Sequence, residues 1–235
     1  SRTAKEILRD PVSLGFGLGF PVILLLLLSA IQKNIPNTLF PLQALTPGIA
    51  VFGMSFLTLF SATLIARDQG SAMLERLFTT PMTAAGFILG YLLPIFPMAL
   101  AQTVVCYLTA LALGLAWGWQ IPAAVLAAIP SAFVFVPLGL LCGSVLNDRQ
   151  VGGICGALMT NLTAWLSDTW FSLALVGGAF ETAAKLLPFV HGVELGRLAL
   201  SGDYDAMLPH LLWVLGYGAV LSCVAIVVFQ KKMKR

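Results

Sequence analysis

Between Gly86 and Leu146 the chain contains no Asp, Glu, Lys, Arg or His. One bilayer crossing by a helix takes about 20 apolar residues, so this stretch alone is long enough to cross twice. The rest of the chain agrees. Of its 235 residues 59% are hydrophobic and 10% charged, with a mean hydropathy of +0.94, which excludes an ordinary soluble domain. The fold class expected is an all-α membrane protein.

Six spans follow from length and hydropathy, at 14–32, 48–66, 86–114, 122–146, 151–167 and 208–229. Lys and Arg set their orientation. One set of connecting segments holds Arg2, Lys5, Arg9, Arg67, Arg76, Arg149, Lys231, Lys232, Lys234 and Arg235, and the opposite set holds Lys33, Lys185 and Arg197. Positive charge accumulates on the cytoplasmic side, which places both termini there, as an even number of spans requires. The first run, 14–32, is long enough to span and no A-x-A-like site follows it, so it reads as a span and not as a signal peptide. Cys106, Cys142, Cys155 and Cys223 lie in apolar segments without metal-ligand spacing and read as small packing residues.

Three segments are not simple loops. "SRTAKEILRDP" sets Ile7 and Leu8 among charges, a pattern for a short helix lying in the membrane interface that Pro11 ends. "RDQGSAMLERLFTTPMT", at 67–83, has a capping residue at Asp68 or Ser71 and a stop at Pro81. Between them Met73, Leu74, Leu77 and Phe78 share one face of a helix and Glu75, Arg76, Thr79 and Thr80 the other. By itself this pattern is better explained by an interfacial anchor. The region 168–201 is too apolar for a plain loop and reads as one or two short helices, broken at Gly177, Gly178 and Pro188, dipping into the outer leaflet. Irregular backbone at that depth must be buried in protein or line a cavity.

The wording of 68–94 resembles the ABC type-2 transporter permease family, in which an acid and a glycine precede "LERL-TTP". Asp68, Gly70, Leu74, Glu75, Arg76, Leu77, Thr79, Thr80, Pro81 and Gly90 match. Pro47 and Gly48 are similar to the family's opening of its second span. Pro188, His191, Glu194 and Arg197 resemble its outer re-entrant segment. The resemblance implies an amphipathic connecting helix at 1–12 and a six-span permease domain at 13–235, with a coupling helix at 68–81 and a re-entrant segment at 168–201. It further implies that Glu75, Arg76, Thr79, Thr80 and Pro81 contact a separate ATPase subunit. The assembly implied is two such subunits beneath two permease chains, as a homodimer or a heterodimer, in the cytoplasmic membrane of a bacterium or archaeon. ATP and Mg belong to the partner, because this chain has no G-x-x-x-x-G-K-[ST] loop to cradle phosphates. One departure stands out: where the family usually has Ser-Gly before the outer dip, this chain has Ser167 and Asp168, a residue that either serves the substrate path or caps the following helix.

Other polar residues admit two readings. Asn161 and Thr163, two apart in the span that leads into the dip, are candidates for the substrate path, whereas Gln102 reads as a helix-to-helix hydrogen bond. His191 and Glu194 share a helical face, but a structural role, with Glu194 reaching Arg197, outweighs metal ligation, and no metal site is expected. Pro94, Pro97, Pro130 and Pro137 kink spans three and four, as hinges or as fixed shape. The chain is expected to be non-catalytic and to act as an exporter subunit for amphipathic or lipid-like cargo such as a drug, lipid, glycolipid or peptide. The alternative is an ATP-independent carrier or channel, which would place charges deep in the spans, where this sequence has few.

Overall fold

The computed structural model describes residues 15–36, 39–69 and 84–233. The expected connecting helix at 1–12 and most of the coupling helix, residues 70–81, lie outside them. Among the described residues all regular structure is helical.

A π-helical turn, Gly15–Gly19, leads into α1, Phe20–Lys33. The long helices α2, Leu42–Gln69, and α3, Ala84–Ala112, flank the 70–83 connection. Helices α4, Gln120–Ala127, and α5, Ile129–Val145, form one rod interrupted at Ala128, with Pro130 in the first turn of α5, where a missing N–H costs nothing. A single turn, α6 at Asp148–Val151, runs through a π-helical stretch, Gly152–Met159, into α7, Thr160–Leu166. Then come three short helices, α8 Leu173–Val176, α9 Gly178–Leu186 and α10 Pro188–Ser201, and the last long helix, α11 Met207–Met233.

Five of these rods are long and apolar enough to cross a membrane: Gly15–Lys33, Leu42–Asp68, Leu89–Ala112, Gln120–Val145 and Met207–Lys231. They match the expected spans one, two, three, four and six. The expected fifth, 151–167, is helical but divided by its π-helical centre, and is not among the five. The second span begins earlier than expected. Pro47 and Gly48 sit inside α2, and the helix runs on through Asp68 to Gln69; the start of the expected coupling helix lies outside the described residues.

Why α2 sits at the centre is visible in its residues. It packs most extensively on α5, and α5 in turn on α11. Helices in lipid gain no hydrophobic force toward one another, so close approach depends on small residues. Gly139 and Gly143 of α5 supply it: a Cβ on Gly139 would collide with the Thr58 carbonyl and Ser61 Oγ, and one on Gly143 with the backbone of Ala62. Thr58 Oγ1 donates to the Phe135 carbonyl at 3.0 Å, adding a polar tie across the same seam. Gln102 of α3 behaves as its reading anticipated, its Nε2 donating to the Ala50 carbonyl at 3.0 Å. Pro94 and Pro97 lie within an uninterrupted α3.

Candidate functional sites

The residues proposed to meet an ATPase, Glu75, Arg76, Thr79, Thr80 and Pro81, lie outside the described residues; the two helices that carry them do not. Asp68, in the last turn of α2, is buried, and the Tyr91 hydroxyl of α3 donates to its carboxylate. A charge-assisted bond of this kind is among the stronger polar contacts available to a protein. It ties together the two helices from which the connection leaves and to which it returns.

At the opposite end of the bundle, residues 168–201 fold back as a cap. Their breaks fall where the sequence places them, with Gly177 and Gly178 at φ +65° and +59° and Pro188 in the first turn of α10. The cap has three helices, one more than the upper expectation. Its longest, α10, packs on α2, α4 and α11. Gly192 and Gly196 let it approach, since a Cβ on Gly192 would stand 2.5 Å from Ser131 Oγ and one on Gly196 2.6 Å from Pro47 Cβ. That small-xxx-small spacing was legible in "HGVELGR" as a close-packing signal, and the sequence reading passed over it.

Asp168 is the hinge of the cap. It is the one non-glycine residue with positive φ among the described residues, at +59°. Asp tolerates this left-handed conformation better than most side chains because it can bond locally. Here it does: Oδ1 accepts from the Leu173 N–H at 2.6 Å. Oδ2 accepts from Arg197 Nη1 at 2.7 Å, and the Asp168 carbonyl from Arg197 Nη2 at 2.6 Å. Arg197 also holds Glu194 at 2.7 Å, the expected structural pair, and its Nε reaches the Ala44 carbonyl at 3.4 Å. One guanidinium thus joins the cap's first residue, its last helix and the start of α2. Aspartate takes up the backbone conformation that glycine would supply and adds a carboxylate that fastens it.

The three residues considered for a substrate path do not converge. Asn161 is exposed, with Nδ2 bonded to the Ala157 carbonyl at 2.8 Å, and Thr163 is buried, with Oγ1 bonded to the Met159 carbonyl at 2.9 Å. Both satisfy their own helix, while Asp168 serves the cap. His191 has a partner that sequence spacing does not reveal: its Nδ1 lies 2.8 Å from Nδ1 of His210 in α11, and its Nε2 lies 2.8 Å from the Lys185 carbonyl. The two histidines, with Asp168, Glu181, Lys185 and Glu194, border a cleft of about 350 Å³. No cluster of metal-ligating side chains occurs among the described residues.

Several long apolar helices define a multi-pass membrane protein. The family model for the ABC-2 type transporter matches residues 1–200, and the chain belongs to that family. It is a permease component, the membrane part of an ABC transporter, and the family associates with ATPase subunits and the membrane. No curated protein matches the chain.

Proposed function

We propose that this chain is the permease half of an ATP-driven exporter, dimeric, with two separate ATPase subunits seated against the 70–83 connection. The observation that carries this reading is the pairing of Asp68 and Tyr91 at the base of a connection whose sequence is "LERLFTTP". A push on a loop is absorbed unless the helices at its ends are fixed to each other. With α2 and α3 tied at their ends, and α2 packed along α5, displacement of the connection moves the central helices together and shifts the balance between two arrangements of the bundle.

In this reading the helix from Asp148 to Leu166 is a sixth crossing. At a rise of 1.5 Å per residue it is about 28 Å long, close to the hydrocarbon thickness of about 30 Å. Both termini and the 70–83 connection then lie in the cytoplasm, and the cap is the outer re-entrant segment. Glu75 and Arg76 present a polar face to the ATPase, which holds ATP and Mg. Cargo is amphipathic or lipid-like, in keeping with spans that carry few charges.

Purification from the native membrane in mild detergent tests the reading. A co-purifying ATPase with a phosphate-binding loop is expected, with transport lost in the Glu75→Ala, Arg76→Ala double variant while ATP hydrolysis continues. A chain that arrives without an ATPase and moves cargo without ATP would establish a carrier or channel instead.

A further inference from the structure

The His191–His210 contact fixes protons as well as atoms. A carbonyl oxygen can only accept, so His191 Nε2, facing the Lys185 carbonyl, carries a hydrogen. Neutral His191 then has a bare Nδ1, and the 2.8 Å contact closes only if His210 donates from its own Nδ1. The neutral pair therefore has opposite tautomers, with His210 Nε2 left as the available base. A first added proton goes to that nitrogen and leaves the contact intact, now as a charge-assisted N–H⁺···N bond. A second has only His191 Nδ1 to occupy. It would set two N–H groups and two cations face to face, and the contact must open.

What the contact joins gives this chemistry a consequence. His191 is in the first turns of α10, in the cap, and His210 is at the start of α11. Trp213 of α11 lies against His191 with ring centroids 5.3 Å apart, and Trp213 Nε1 and the Tyr217 hydroxyl both donate to the Leu186 carbonyl just ahead of α10. The charged neighbours are accounted for. Glu181 and Lys185 of α9 pair with each other at 2.5 Å, while Arg197 holds Glu194 and Asp168. We propose that the histidine pair is a one-proton latch between the cap and the last helix: it binds one proton while closed, and the second proton releases α10 from α11.

Burial lowers the His191 pKa from its ordinary 6.5, the Lys185 carbonyl opposes that shift, His210 lowers the value further and Glu194 opposes it. Because folding depresses it, the latch contributes its full stability above about pH 6.5 and loses it as pH falls through the lower folded value.

The chain has two histidines, so ¹⁵N-histidine labelling in lipid nanodiscs reports this pair without assignment ambiguity. At about pH 8, well above the unperturbed imidazole value, we expect one Nε2–H ring, one Nδ1–H ring and a scalar coupling between the two Nδ1 nuclei. Acidification should first protonate one ring with the coupling kept. It should then abolish the coupling together with a rise in amide hydrogen exchange over the first turns of α10. In His210→Leu, His191 should titrate alone and that exchange should no longer step with pH. Two rings of like tautomer without coupling would overturn the proposal, as would a coupling that survives full protonation or an exchange rate indifferent to it. None of these readouts needs an ATPase, so their failure would leave the transporter reading standing.

Discussion

Helices α2 and α11 are alike by hydropathy and opposite in position. Both are apolar enough to cross a membrane, yet 83% of the most apolar stretch of α2 is buried inside the chain and 17% of that of α11. The difference lies in small and hydroxyl-bearing residues. The buried face of α2 holds Ala50, Ser55, Thr58, Ser61 and Ala62, and its hydroxyls bond to backbone carbonyls of its own helix or of α5. The exposed face of α11 holds Leu208, Leu212, Leu215, Val220 and Val224, side chains suited to lipid or to another apolar helix. In a membrane, then, hydropathy identifies a crossing, and the ability of backbones to approach identifies its neighbours.

The sharpest way to break this comparison is to place equal bulk on both sides of it. Gly143→Leu forces a side chain into the Ala62 backbone, and should cost about 3 kcal/mol or more, seen as loss of the monodisperse folded species in detergent. Among the described residues, no atom beyond the adjoining backbone of α11 comes within 4 Å of where a Gly216 Cβ would stand, so the same substitution there should leave the isolated chain within about 0.5 kcal/mol of wild type. Loss of dimer on Gly216→Leu with the chain still folded would map the second copy to α11.

Next in size is Arg197→Met. It leaves Asp168 and Glu194 facing each other without their cation, and should cost roughly 1–3 kcal/mol after allowance for partial exposure, measured by thermal unfolding in detergent. Tyr91→Phe removes one donor from buried Asp68 and should cost about 1–2 kcal/mol. Its more telling readout is coupling: ATP hydrolysis by the assembled complex should continue while transport per ATP falls. The smallest effect separates two roles of one residue. Asp168→Gly and Asp168→Ala both lose the carboxylate, but alanine also takes on the left-handed backbone, and should be less stable than glycine by about 1 kcal/mol.

The regions also differ in how legible they were. Spans one, three, four and six, and the C-terminal end of span two, were readable to within a few residues because hydropathy adds up over a local stretch. The fifth helix was readable as helix, but its π-helical centre, around Gly152, Gly153 and Gly156, has no signature that a hydropathy window detects. The cap's breaks were readable because glycine and proline act on their own backbone. Its fastening was readable only in part: Glu194 and Arg197 are one helical turn apart, whereas Asp168 is brought to Arg197 by the fold-back of three helices. Asp68 is a further contact of this kind: its place next to the connection was legible, but its acceptance of a hydrogen bond from Tyr91, on the next span, was not.

The sequence by itself determined that this chain lives in a membrane, where its crossings run and which transporter family it belongs to, since each of these depends on local apolarity or on a contiguous motif. Tertiary structure alone decided that α2 is enclosed while α11 is not, that Asp168 occupies a glycine-like turn under Arg197, and that two histidines share a hydrogen bond. The physical reason is the same in all three cases. They depend on distances between residues far apart in the chain, and those distances are set by how closely helix backbones can approach.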